Sequence, residues 1–344
     1  MDIALLKKLC DAPGLPGAED RVKEIVIEEL GKFTDDIIDD YIGNVIAHIG
    51  GRGPKLVLDG HMDEVGFMVK HIDKDGFVYV IPLGGIDQRV FYGQRLVVWG
   101  KKPLVGVVGA KPPHINKGGS NEAPAVEDCT IDFGLEAEKV TQNVRIGDVC
   151  TYCTELTETQ DAVISKAIDN RVALFVILEA LAKKPKLSCD LYVTATVQEE
   201  VGLRGARTIN PVVEPEFSIV LEGTVSNNLP GVPESKQMAR TLQGPEIRLS
   251  DKYIVTNRAL SFFIHDLAKK HNLPSQLIVK SSGGTNASAL QVTGKGTRST
   301  VISVPVRYLH SPSSIAFKQD IQNTIELIAH TLEDIKDFDP KQIR

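Results

Sequence analysis

The sequence predicts an α/β protein, a mixed, largely parallel sheet covered by helices and interrupted by a small inserted β-barrel or sandwich. Three observations carry that expectation. After residue 160, strand-length apolar runs alternate with helical segments at the spacing of a sheet covered on both faces. The first sixty residues share this texture. Between about 67 and 160 it gives way to short β-branched segments punctuated by glycine, with no useful helical period. The expected partition is therefore one discontinuous domain, residues 1–67 with 160–344, and an inserted β domain over 68–159.

Taken in order, residues 3–10 form a short apolar helix, and Ile25, Val26, Leu30 and Phe33 recur at helical spacing after an acidic first turn. "DDIIDDYIGNVIAHIGG" predicts a hairpin turning at Gly43-Asn44, and "KLVLDGHMDEV" a buried strand running into a Gly-His-x-Asp turn. Within the insert, "KPPHINKGGSNEAPAVED" (111–128) predicts a long mobile loop. The α/β texture then resumes with a helix over about 170–184, a strand over 190–198, a short helix at "LRGARTI" and a strand over 217–221. A helix at "NRALSFFIHDLAKKHN", a strand at "QLIVKSS", a glycine turn at "GGTNASALQ", a strand over 300–304 and an amphipathic helix from 315 to about 336 complete the chain.

Composition narrows the function. With 344 residues, 42% of them hydrophobic and 24% charged, the chain can bury a large core and has the length of two domains. A net charge of −6 without a basic stripe argues against nucleic acid as a partner. No apolar run approaches the roughly 18 residues needed to span a bilayer, so no membrane is expected. The N-terminus lacks the apolar core and cleavage site of a signal peptide, which makes the cytoplasm the expected location. Five cysteines, an odd and scattered set, fit reduced thiols. Cys150 and Cys153 have metal-site spacing, but their strand-like context and the absence of a second such pair make them ordinary strand residues.

In open α/β sheets, sites collect beyond the carboxyl ends of the strands. Those ends carry His61 and Asp63, Glu199 and Glu200, Glu222 and His310, with Asp169 in the turn before a helix. Each has an ordinary explanation alone: turn formers, a helix cap, solvated loop residues. The adjacent Glu199 and Glu200 are harder to explain, because two carboxylates closing the apolar run "LYVTATV" cost several kcal/mol if buried and unpaired. No lysine or arginine shares their turn, although Arg204 is near. Two divalent cations would supply the missing charge, and imidazoles with carboxylates suit Zn²⁺, Co²⁺ or Mn²⁺. Where the strand begins to turn, one glutamate can bind metal while its neighbour faces the attacking water as a base.

The stretches "GHMDEVGFMV", "KAIDNRVA", "TVQEEVGLRGA", "SSGGTNASA" and "ISVPVRYLHSP" together resemble the glutamyl (deblocking) aminopeptidases, dinuclear metallopeptidases that often assemble into hollow tetrahedral particles. The resemblance spans essentially the whole chain. It implies a zinc-exopeptidase-like fold and a metal-dependent aminopeptidase acting on short peptides, with two zinc or cobalt, or manganese, ions per chain. Asp169 would bridge them, His61 and Glu222 complete one site, and Glu200 and His310 the other. Asp63 would orient the His61 ring and Glu199 act as general base. The insert would serve oligomerisation or substrate access in a homo-oligomer built from dimers, up to a dodecamer. Two departures stand out: Glu222 replaces the family's usual Asp, and Asn286 replaces Asp in the usual Gly-Gly-Thr-Asp turn. The alternatives are a catalytically weakened peptide-binding or assembly homologue, and a glycosidase of the kind suggested by the endoglucanase label some members carry.

Overall fold

The computed structural model describes residues 1–109 and 123–341. Most of the stretch expected to form a long loop, residues 111–122, lies outside the described residues; Val126–Asp128, at its end, forms one turn of 3-10 helix.

Four strands, Asp190–Thr196, Lys55–His61, Phe217–Val225 and Arg298–Arg307, lie side by side and mutually parallel at the centre of an eleven-stranded sheet. Their near-continuous apolar sequences are those of strands buried on both faces. Side chains alternate between two cores. Leu56 and Leu58 pack with the helices Ile3–Asp11, Asp20–Leu30, Ile168–Ala182 and Lys318–Asp334, whereas Val57 faces Ala206–Val213 and Asn286–Val292. The helix Ile168–Ala182 is apolar on nearly every side and correspondingly buried. Antiparallel strands flank this centre. Ile37–Asp39 and Val45–Gly51 form the expected hairpin, its turn held by the Asp40 carboxylate accepting the N–H groups of Ile42, Gly43 and Asn44.

Six antiparallel strands between Gly66 and Tyr152 close into a barrel, with Gly66–Ile72 pairing both Val78–Leu83 and Val149–Tyr152. Its separate core is built on Phe67, Phe91, Leu96, Ile131 and Tyr152. Cys150 is buried in the last barrel strand, Cys153 lies just past it, and all five cysteines are free thiols. Among the described residues no helix is long and apolar enough to cross a membrane.

Several boundaries differ from those expected. The apolar run read as a strand to 198 stops at Thr196, because the backbone turns left-handed at Gln198, φ 56°. The second half of the glycine turn is helical, Asn286–Val292, started by the Thr285 side chain accepting the N–H of Ala287. The last helix begins at Lys318, since Ser314–Phe317 adds to the sheet instead. Among the described residues the insert contains one short α-helix, Ala137–Thr141.

Arg171 is fully buried and donates to the carbonyl oxygens of Met62, Leu9, Ala12 and Gly14, stitching the N-terminal segment to the end of a central strand. Replacing it strands those acceptors, so Arg171→Leu should lower stability by about 3–5 kcal/mol, read from urea midpoints of the metal-free protein. At the sheet edge, the ring of His48 reaches Asp190 at 2.7 Å and Asp36 at 3.2 Å. Asp190 foremost raises its pKa above 6.5. A raised folded-state value means that the stabilisation is complete below about pH 6.5 and fades as pH rises through that value. The stability difference between wild type and His48→Gln should therefore be larger at pH 6 than at pH 9; equal differences would refute it.

Candidate metal centre

All the candidate residues gather at the carboxyl ends of the parallel strands. His61 is the last residue of its strand, in register with Thr196 at the end of the next. Glu199 and Glu200 occupy the turn after Thr196. Glu222 lies inside Phe217–Val225, opposite Ser303, and His310 follows Arg298–Arg307 in a left-handed conformation, φ 57°. Asp169 is extended, φ −78° and ψ 109°, before the helical run proper begins, and its carboxylate turns to His310 and not to a helix N–H, so it does not cap the helix.

Their polar atoms face one space. His61 Nε2 is 3.3 Å from Asp169 Oδ1, 3.5 Å from Glu222 and 3.9 Å from Glu199. His310 Nε2 is 3.2 Å from both Asp169 Oδ2 and Glu200 Oε1. Two overlapping groups, His61 with Glu199 and Glu222, and His61 with Asp169 and Glu200, each place one ligand atom per residue within 4.8 Å of the others. The Asp63 carboxylate lies 3.4 Å from His61 Nδ1 and also accepts the N–H groups of Glu199 and Glu200. Arg204 donates to Gln198 and not to either glutamate.

The flanking residues of each motif hold these positions, and sequence reasoning did not single them out. Lys166 donates to Glu64 at 2.8 and 2.9 Å, tying the Asp169 segment to the turn after His61. Asn170 donates to the carbonyl of Leu221 and accepts from Gly223 N–H, bracketing Glu222. The backbone also approaches closely at residue 223, where a Cβ would lie 3.3 Å from the Asp169 Cα, a contact tight enough to push on the Asp169 backbone. From the barrel side, the carbonyl of Gly85 sits 2.8 Å from His310 Nδ1. Only the motif context of Lys166 and Asn170 could have flagged any of these; Gly85 belongs to no recognisable pattern.

The two imidazoles are arranged alike. Each has Nδ1 against a backbone carbonyl, that of Asp63 at 3.0 Å for His61 and that of Gly85 for His310. A carbonyl only accepts, so Nδ1 carries the proton and Nε2 faces the carboxylates. Burial lifts the carboxyls of Glu199, Glu200 and Glu222, the last up to about 7. Burial opposes charge on His310 as well, but Glu200 and Asp169 outweigh it and raise the ring to about 11. Asp169 is held well below the usual carboxylate range, the two histidines overcoming its burial. Asp169 Oδ1, Glu200 Oε1 and Glu222 Oε1 are nevertheless buried without any hydrogen-bond partner. Oxygen and imidazole donors left open toward a shared space fit divalent cations, which replace the protons the Nε2 atoms would otherwise need.

Asn286 lies behind this cluster. It donates to Asp59 at 2.9 Å and to Thr196 at 2.7 Å, all buried. An aspartate at 286 would oppose Asp59 acid to acid, so the amide is the group that suits its neighbour. The cluster opens into a cleft of about 1130 Å³ whose lining includes the buried Arg248 and the half-buried Lys280, both paired with Glu246.

Fold and site define a hydrolase, and comparison with known proteins places it among those acting on peptide bonds. The chain belongs to the M42 glutamyl aminopeptidase family, whose model matches residues 43–327. It is 32% identical to the lysyl aminopeptidase of Pyrococcus furiosus, with 98% of this chain and 99% of that protein covered. It superposes on the aminopeptidase APDkam598 of Desulfurococcus kamchatkensis with a TM-score of 0.93 at 33% identity, covering 99% and 98%. The TET1 peptidase of Pyrococcus horikoshii, described as assembling into a tetrahedron or a large octahedral shell, matches with a TM-score of 0.86 at 30% identity, covering 96% and 98%. The chain is thus an aminopeptidase of a family that uses divalent metal, and the cluster is the candidate to hold it.

Zn²⁺ or Co²⁺ added to chelator-treated protein should raise its melting temperature, each ion contributing about 2.7 kcal/mol at a hundredfold excess over Kd. Asp169→Asn should remove most of that increment; an equal rise in the variant would contradict the assignment.

Proposed function

We propose that the chain releases N-terminal residues from short peptides with two divalent cations, zinc, cobalt or manganese, which His61, Asp169, Glu200, Glu222 and His310 would hold. The observation that carries this reading is the trio of buried oxygens on Asp169, Glu200 and Glu222 that accept no hydrogen bond, facing two imidazoles already oriented to present Nε2. When bound, the cations supply Lewis acidity for the scissile carbonyl and favour ionisation of water near neutral pH. Glu199, half-buried beside His61, takes the proton of the attacking water. As the water oxygen bonds to the carbonyl carbon and the C–N bond breaks, Glu199 returns that proton to the departing amine. Asp63 orients the His61 ring and anchors the backbone of both glutamates.

In this reading residues 1–67 and 160–344 form the catalytic domain, and 68–159 govern assembly and access in a cytoplasmic homo-oligomer built from dimers. The named assembly of the Pyrococcus horikoshii peptidase supports the oligomer. Light scattering tests it, since a 37.5 kDa particle would be the monomer. A glycosidase would leave both histidines idle, and a decayed binding module has no use for a complete open ligand set.

Metal-loaded protein should release amino acids from aminoacyl-p-nitroanilides and short peptides, and EDTA should abolish the activity. Glu199→Gln should lower kcat about 10²–10⁴-fold with metal content unchanged. Absence of turnover on every N-terminal residue would overturn the proposal.

A further inference from the structure

The turn that carries Glu199 and Glu200 leaves the sheet with four successive N–H groups donated to side chains, not to a neighbouring strand. Val197 N–H reaches Asn44 Oδ1 at 3.0 Å and Gln198 N–H reaches Glu19 Oε1 at 3.1 Å. Glu199 and Glu200 N–H reach the two oxygens of Asp63 at 2.9 and 3.0 Å. All three acceptor residues are buried. Glu19 and Asn44 come from the first 44 residues, and Glu19 lies ahead of the stretch that the family model matches.

Asn44 is itself immobilised. Its Nδ2 donates to Asp40 Oδ2, the Gly205 carbonyl and Thr208 Oγ1, so one side chain joins the entry of the turn at Val197 to its exit at Gly205. The exit approaches so closely that a Cβ on residue 205 would stand 2.2 Å from Asn44 Oδ1. Glu19 acts at Gln198, the left-handed residue where the chain swings off the strand. Without an acceptor there, nothing in the sheet ladder would hold that amide, and the direction of the next two side chains would follow the backbone's drift.

We propose that Glu19 and Asn44 are positioning residues of the reaction, setting through the amides of Gln198 and Val197 the direction in which Glu199 faces water and Glu200 faces the cation pair. The inference rests on the roles proposed for those two glutamates. It predicts an effect on turnover and on metal geometry beyond any effect on stability.

Full-length protein, stripped and reloaded with Co²⁺, provides the test. Glu19→Ala should lower kcat about 10–100-fold with KM nearly unchanged and should alter the visible Co²⁺ absorption bands. Glu19→Gln, which keeps an oxygen acceptor, should restore most of the rate. Glu19→Ala with wild-type kcat and Co²⁺ bands but a lower melting temperature would assign Glu19 a merely structural role and overturn the proposal. Should Glu19→Ala not fold, hydrogen exchange in the wild type decides. Amides 197–200 exchanging as slowly as the strand Asp190–Thr196 support the clamp, and exchange at the rate of open loops defeats it. An inactive loaded wild type would instead overturn the proposed function, so the two failures are distinguishable.

Discussion

Five carboxylates and two imidazoles converge at the carboxyl ends of four parallel strands, and much of the surrounding structure is arranged to tolerate that convergence. Like charges at this density repel, and burial removes the water that would otherwise screen them. Nearby cations do not neutralise the cluster: Arg204 turns to Gln198, and Arg248 and Lys280 are engaged by Glu246. Among the described residues only the two histidines pair with the acids directly, and three carboxylate oxygens still accept no hydrogen bond. A fold that holds such a group open invites dications, whose binding would convert an electrostatic liability into stability.

Holding it open is work shared by distant parts of the chain. Arg171 and Lys166 anchor the Asp169 segment to the N-terminus and to the turn after His61, while Asn170 fastens it to the strand of Glu222. The barrel reaches in through one carbonyl, that of Gly85, which sets the tautomer of His310. The contacts of Arg171, Lys166 and Asn170 are short, buried and directional, so the donor atoms are placed before any ligand arrives. Preorganisation of this kind keeps the geometry of a site from relaxing when charge develops in it.

How much of this was legible in the sequence depended on the range of the interaction. The alternation of apolar strands with helices revealed the sheet, and the glycine-punctuated middle third revealed a compact β structure, because both patterns are local and repeat. Glu199 and Glu200 stood out because two acids ending an apolar run conflict with their local setting, and such conflicts mark special sites. Boundaries were less legible. Val197 continues the apolar pattern of its strand, yet the strand stops at Thr196, because the amides beyond it find side chains from elsewhere. The segment after Gly283-Gly284 read as a turn became helical once Thr285 capped it.

Asn286 shows the same limit. From the sequence it was a missing charge; in the folded chain it is the amide that faces Asp59, a residue 227 positions away whose importance no local pattern announces. The sequence by itself determined the class of fold, the kinds of donor atom available and the approximate strand ends that carry them, since hydrophobic period and residue chemistry are properties of short stretches. Tertiary structure alone decided which nitrogen of each histidine faces the acids, which oxygens are left without partners, and which remote side chains steer the glutamates. Those outcomes depend on hydrogen bonds a few ångströms long between residues far apart in the chain, and only packing brings such pairs together.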